Sequence, residues 1–323
     1  MIVKHYDFGW GNEWPAKQLE HQLLNKYLKP VIESSTRWAV INSTWYGDQE
    51  HHSTVEDMQH NQIESVILVS MLDDAIPQLD WFSLPAYGVG YYPGENEIDF
   101  WALLLEKYFQ DRASTDAALI DTAFMCLNRK PHPHRLRLYR QLESQNLLDC
   151  GLVSLGSNNG VAVRTIDNDQ GGCDLAPNAG TEQNGIVNDL VTLGNIENWN
   201  RCFINIVTET VFEIKQKHFV SEKIYKPILG MRPFLVYATD GGVDWLENRG
   251  FYTFVQDFRD ITDLDLSDPN NISLFLDALT NQSQNYLQTK YQELLPKIEH
   301  NYQNFYRHCQ TQLDKVEKGI KLI

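Results

Sequence analysis

This 323-residue sequence is poor in cysteine, in positive charge and in long apolar runs, and each shortage narrows what the chain does. Its five cysteines, Cys126, Cys150, Cys173, Cys202 and Cys309, are scattered without a Cys-x-x-Cys pair. An odd, dispersed set excludes a disulfide framework and a cysteine zinc site, and predicts buried thiols in a reducing compartment. Lysine and arginine number 27 against 43 aspartates and glutamates, a formal charge of −16. A phosphate backbone needs a basic footprint, so nucleic acid is excluded as the main partner. The same balance disfavours an anionic membrane surface and leaves only the tail Lys315–Ile323 as a basic amphipathic end. No apolar run approaches the ~20 residues of a membrane span, and Met1–Phe8 has no apolar signal core. The expectation is a soluble, cytoplasmic protein without an integral membrane segment. There is neither a fixed-period repeat nor a low-complexity tract.

What is present is globular: 42% of residues are hydrophobic and 22% charged, in a chain long enough for two domains. The apolar pattern predicts strands at Ile2–Phe8, Trp38–Asn42 and Ser65–Leu72, with a helix over Trp14–Ile32. Continuous apolar strands of this kind belong to parallel sheets buried on both faces. The polar stretch Asn42–Gln62 carries His51, His52 and His60. With no carboxylate or cysteine at ligand-like spacing, it reads as an exposed loop rather than a metal site. Asp73 and Asp74 follow a strand end, where open α/β sheets place their ligands. Glu95 lies in a Gly-containing turn before a helix carrying Trp101, Leu104, Leu105 and Tyr108. These three carboxylates are the candidate general bases. The organisation expected is an N-terminal acceptor domain over 1–118, a donor-binding domain over 119–280, and C-terminal helices over 281–323 that pack back on the first domain.

The second half opens with a strand, Ala123–Leu127, that runs into Asn128–Arg135. This loop is stiffened by prolines, holds Arg129, His132, His134 and Arg135, and leads into a helix. A strand, a cationic loop and a helix start form an anion-binding arrangement, with arginine able to grip phosphate oxygens in pairs. Beyond it come a strand at Gly151–Gly156, an irregular segment over Ser157–Thr192, and a strand at Arg201–Glu209 that ends in a carboxylate. Val243–Arg249 reads as a helix capped by Gly250, Phe251–Phe254 as a last strand, and Ile272–Lys318 as two helices, the second long.

Phe219–Tyr237 is the stretch around which the rest is organised. Ser221, Glu222 and Lys223 open a short helix, Gly230 is placed to end it in the left-handed conformation, and Pro233–Ala238 reads as a buried strand. Pro227 sits too deep for a helix capped by Ser221, so the helix is expected to start later or to open with a tighter turn. A carboxylate and an ammonium at a helix mouth suit a ligand with sugar hydroxyls and a phosphate.

Together these segments resemble the donor-binding half of the alpha-1,3-fucosyltransferases (glycosyltransferase family ten), over roughly residues 120–255. Phe203–Glu209 stands where that family has a strand ending in a Phe-Glu-Asn-Ser-like motif, and Ser221-Glu222-Lys223 where it has Thr-Glu-Lys. The Asn-Ser that follows the family's first Glu is replaced by Thr210-Val211-Phe212. The resemblance implies an α/β, GT-B-like fold of two facing Rossmann-like domains with parallel sheets. It implies Glu222 on the nucleotide ribose, Lys223 on the diphosphate, and an arginine, Arg135 before Arg129, on the pyrophosphate. His134, Glu209, Ser221 and Lys226 complete the implied donor-binding set. The activity implied is that of an inverting glycosyltransferase, fucosyltransferase-like, moving a sugar from a GDP-linked donor to a glycan acceptor. It needs no metal or other cofactor.

Two rivals carry weight. A metal-dependent GT-A transferase would use Asp167 and Asp169, an Asp-x-Asp pair following an apolar run. A non-catalytic nucleotide- or glycan-binding protein could sit on the same fold.

Overall fold

The apolar runs that punctuate the sequence at strand length fold as parallel strands. The computed structural model describes residues 4–8, 38–43, 65–70, 86–90, 99–128, 130–156, 163–166, 182–183, 186–187, 192–209, 212, 220–238 and 242–321. The chain divides into two compact units, Met1–Leu104 with Cys309–Ile323, and Leu105–His308. The boundary expected after residue 118 thus falls inside the second unit.

The first unit holds β1 (Lys4–Phe8), β2 (Trp38–Ser43), β3 (Ser65–Ser70) and β4 (Ala86–Gly90), paired in that order as one parallel sheet. Three of these are the strands expected from the apolar runs. β4 was not expected, because its sequence AYGVG carries two glycines that dilute the strand signal. The predicted helix Trp14–Ile32 and the histidine-bearing loop lie outside the described residues.

α1 (Phe100–Tyr108) runs from the last residues of the first unit into the second, where β5 (Thr122–Cys126), α2 (Pro133–Ser144) and β6 (Leu152–Val153) follow. A small antiparallel hairpin follows, β7 (Glu182–Gln183) with β8 (Ile186–Val187). The hairpin interrupts the segment expected to be irregular. Asn184 and Gly185 stand between its strands, the dipeptide that favours two-residue hairpin loops. Then come α3 (Ile196–Arg201), β9 (Cys202–Val207), α4 (Glu222–Leu229), β10 (Phe234–Val236), α5 (Gly242–Glu247), α6 (Ile272–Thr280) and α7 (Gln284–Lys321), whose residues from Cys309 on belong to the first unit. The four long-range strands form a second parallel sheet in the order β10-β9-β5-β6. All six residues of β9 are buried, as a strand covered on both faces requires. The covering comes from the apolar sides of the helices: Leu138 and Leu142 of α2, Ile224 and Ile228 of α4, and Phe275 and Leu279 of α6 are all buried. The architecture is therefore α/β with parallel sheets and intervening helices.

The strand order places the site. From β5 the chain steps outward to β6, then returns to the other side of β5 to lay down β9 and, beyond it, β10. The two connections leave β5 and β9 in opposite directions, so their carboxyl ends are the switch point of the sheet, the place where open α/β sheets bind ligands.

Phe251–Phe254 does not form the strand its aromatic content predicts. A side chain takes the place of a neighbouring strand: the Asn301 amide of α7 accepts from the Tyr252 N–H and donates to its carbonyl, both at 2.8 Å. His300 and Asn304 of the same helix bond the carbonyls of Gly250 and Arg249. Among the described residues no helix is long and apolar enough to cross a membrane.

Candidate functional site

β5 and β9 deliver two polar residues to this switch point, Asn128 and Thr208, both buried. The Thr208 hydroxyl donates to Asn128 Oδ1 at 2.5 Å, and the Asn128 N–H donates to the Ser154 hydroxyl beyond β6 at 3.2 Å. Three adjacent strand ends are thereby fastened to one asparagine.

The Thr208–Glu209 turn is the anchor for both flanking helices. Arg135, in the first turn of α2, donates from Nη2 to the Thr208 carbonyl at 2.8 Å and from Nη1 to the Lys130 carbonyl at 3.3 Å. His134 meets the Glu209 carbonyl through Nε2 at 2.8 Å. A carbonyl only accepts, so His134 carries its proton on Nε2. On the other side, the Glu209 carboxylate accepts from the Ser221 N–H at 3.0 Å and from the Ser221 hydroxyl at 2.5 Å. Ser221 is the N-cap of α4, its oxygen accepting from the Lys223 N–H at 3.4 Å. The Lys223 ammonium lies 3.4 Å from that hydroxyl and pairs with Glu222 at 2.5 Å. One chain of polar contacts thus runs Glu209, Ser221, Lys223, Glu222 across the mouth of the helix.

The local rule that Pro227 breaks does not delay this helix. α4 starts at Glu222, directly after Ser221, with Pro227 inside it. The bond that the proline cannot donate is the one to the Lys223 carbonyl, four residues back. Gly230 also differs from expectation: its φ is −76, and the left-handed residue is its neighbour Met231, at φ 55. What the glycine supplies is room. A Cβ there would meet the Lys226 carbonyl oxygen and Trp199 Cε3, each at 2.8 Å.

Burial sets the electrostatics. Desolvation pushes the Glu209 carboxyl above its ordinary value, against the nearby Lys223 charge. Burial also opposes ionisation of Glu222, but the charge and hydrogen bond of Lys223 outweigh it and hold that carboxyl below its ordinary value. Burial lowers His134 to about 4, helped by Arg135, so its imidazole is neutral near pH 7. His132 is lowered by burial and then by the charges of Arg135, Lys130 and Lys223. The cations of the α2 loop and of the α4 mouth therefore act on the same imidazole, although some ninety residues separate them in sequence.

Of the expected donor-binding residues, His134, Arg135, Glu209, Ser221, Glu222 and Lys223 are gathered around the ends of β5 and β9. Lys226 lies one turn further along α4, where its charge adds to those lowering Glu222. Arg135 is 3% exposed and spends its guanidinium on backbone carbonyls, so it positions the loop and the Thr208–Glu209 turn rather than reaching outward. Arg129, the candidate bases Asp73, Asp74 and Glu95, and the pair Asp167 and Asp169 lie outside the described residues. Sequence reasoning passed over Asn128 and Thr208, whose signal was a polar residue immediately after an apolar strand. It also passed over Arg232, inside the stretch it had singled out. This arginine is 1% exposed and donates to the carbonyls of Trp199, Ser114, Met231 and Asn200 and to the Tyr291 hydroxyl.

Comparison with protein-family models, with curated proteins and with solved structures finds no match to this chain.

Proposed function

We propose that this chain is an inverting glycosyltransferase that binds a nucleoside-diphosphate sugar, GDP-linked by preference, at the ends of β5 and β9 and passes the sugar to a glycan acceptor. The observation that carries the reading is the convergence of two helix N-termini, those of α2 and α4, on the Thr208–Glu209 turn, with Lys223 in the first turn of α4. The positive ends of two helix dipoles and an ammonium favour an anion with several oxygens, and a diphosphate is such an anion. Glu222 beside the ammonium suits the vicinal hydroxyls of a ribose, which donate to a carboxylate.

In this proposal the acceptor oxygen attacks the anomeric carbon from the face opposite the diphosphate. The new C–O bond forms as the bond to the leaving phosphate oxygen breaks. The hydroxyl proton passes to a carboxylate, with Asp73, Asp74 and Glu95 as candidates, which is general-base work. The diphosphate departs with the bonding electron pair, and Lys223 with the helix N-termini balances the charge it gains. Arg135 and His134 hold α2 to the Thr208–Glu209 turn and Ser221 holds α4 to it, so the cationic groups are in place before the charge develops. The larger frame expected for such an enzyme, two facing Rossmann-like domains of GT-B type, belongs to the same proposal. The parallel sheet of each unit is compatible with it.

A thermal-shift panel of GDP, UDP, ADP and CMP tests the binding half, since a ligand of the native state raises the melting temperature by mass action. GDP is expected to give the largest shift. Slow release of GDP from a GDP-sugar without acceptor, undiminished by EDTA, is expected of the enzyme. Nucleotide binding with no turnover for any donor would leave a binding protein, and loss of turnover in EDTA would favour a metal-dependent transferase.

A further inference from the structure

Four aromatic rings from three separate parts of the second unit line up beside the α2 start. His132 and His134 lie with ring centroids 5.9 Å apart and planes within 3°. His134 stacks on Phe212 at 5.2 Å and 22°, and Phe212 meets Tyr237 at 5.3 Å. The Arg137 guanidinium lies 4.6 Å from the Phe212 centroid and donates to the Tyr237 hydroxyl at 3.0 Å, fixing the far end of the row. The His134 ring cannot rotate, because its Nε2 is bonded to the Glu209 carbonyl. His132 is therefore the end of a braced row in which its ring lies parallel to that of His134, while Phe212 and Tyr237 behind them turn progressively away, the last pair by 44°. It is half-buried and makes no side-chain cap hydrogen bond, although it occupies the N-cap position of α2. A residue that gives up the capping role, where Ser, Thr, Asp or Asn would satisfy a backbone N–H, presents its ring instead.

We propose that His132 is a stacking platform for the base of a nucleoside diphosphate whose phosphates lie at the mouth of α4. The inference rests on the donor-site reading above and extends it to the base. Two features beyond the ring geometry support it. The charge of Lys223 is among those that lower the His132 imidazole, so the ammonium and the ring act on each other. The ring is also kept neutral near pH 7 by burial and by surrounding cations, which leaves a π-face that a base stacks on without an added charge. Stacking is tolerant of base identity, so His132 supplies affinity for any nucleobase, and the choice among bases lies elsewhere.

The test is calorimetric titration of the full-length protein with GDP and with inorganic pyrophosphate, in wild type, His132→Ala and His132→Phe. Loss of a stacked base is expected to weaken GDP about ten-fold in His132→Ala while pyrophosphate stays within about two-fold of wild type. His132→Phe, which keeps a ring at the position, is expected to retain GDP binding. Unchanged GDP affinity in His132→Ala overturns the platform and leaves the phosphate site standing. Equal loss of both ligands also overturns it, since His132 would then serve the phosphates. If wild type binds neither ligand, the donor-site reading and the platform fall together.

Discussion

Glu209, Glu222 and His134 lie within a few residues of each other's partners, yet folding moves them in different directions. Glu209 is raised by desolvation, Glu222 is lowered by Lys223 despite its burial, and His134 is lowered by burial to about 4 from an ordinary 6.5. The linkage follows from which state binds the proton first. Between pH 6.5 and 4 the unfolded chain takes a proton at residue 134 that the folded chain refuses, so this group's stabilisation is full above that window and lost through it. Glu222 acts in the same sense at lower pH. Glu209 acts in the opposite sense, because its protonated form favours the fold. Replacing His134 by Gln keeps an N–H donor for the Glu209 carbonyl and removes the titration. Urea midpoints taken from pH 7.5 down to 4.5 should then fall less steeply in His134→Gln than in wild type. Parallel profiles would mean that His134 is not the group titrating. The sequence marked His134 as part of the cationic loop and of the implied donor-binding set, but it could not show the carbonyl that fixes its tautomer.

At the scale of elements, α4 is the piece whose position decides the site, and Gly230 and Arg232 hold its far end. A methyl group at 230 has nowhere to go, since the Lys226 carbonyl is backbone and Trp199 is 2% exposed. Gly230→Ala should cost about 1–3 kcal/mol of stability in urea unfolding. Gly250→Ala is the control with a different cause. Its φ is +77 while its nearest neighbour would lie at 3.5 Å, so about 1 kcal/mol of backbone strain is expected and no clash. Equal effects of the two substitutions would contradict this division. Arg232 fastens the turn after α4 to the end of α3 through the Trp199 and Asn200 carbonyls, and to α7 through Tyr291. A lysine there cannot reproduce a planar fork of donors and would bury an under-satisfied ammonium. Arg232→Lys should therefore lose about 3 kcal/mol or more, read from the urea midpoint at constant slope. A near-neutral result would show that the guanidinium bonds contribute little.

At the scale of the whole molecule, the alternation of strand and helix was readable because parallel strands buried on both faces leave continuous apolar runs. Phe124 and Phe203 sit in such runs and are fully buried. β4 was hidden by its glycines, and Phe251–Phe254 gave a false strand because Asn301, 49 positions further along the chain, supplies the partners of Tyr252, which no local pattern reports. Glu222 and Lys223 could be picked out as a charged pair at a helix start. The burial of Arg135 and Arg232 could not, since an arginine in a loop reads as solvated until the carbonyls around it are known. The chain carries a formal charge of −16, yet Lys130, Arg135 and Lys223 all act on one imidazole beside the switch between β5 and β9. Collecting cations there, against the sign of the molecule, is the central claim, and Lys223 is its most direct handle. Calorimetric titration of GDP into wild type and Lys223→Ala, with both proteins shown to be folded by far-UV circular dichroism, measures it. The account predicts binding by wild type and at least about a ten-fold loss in the variant, the size expected of one charge-assisted phosphate contact. Equal affinity in the two proteins would contradict it.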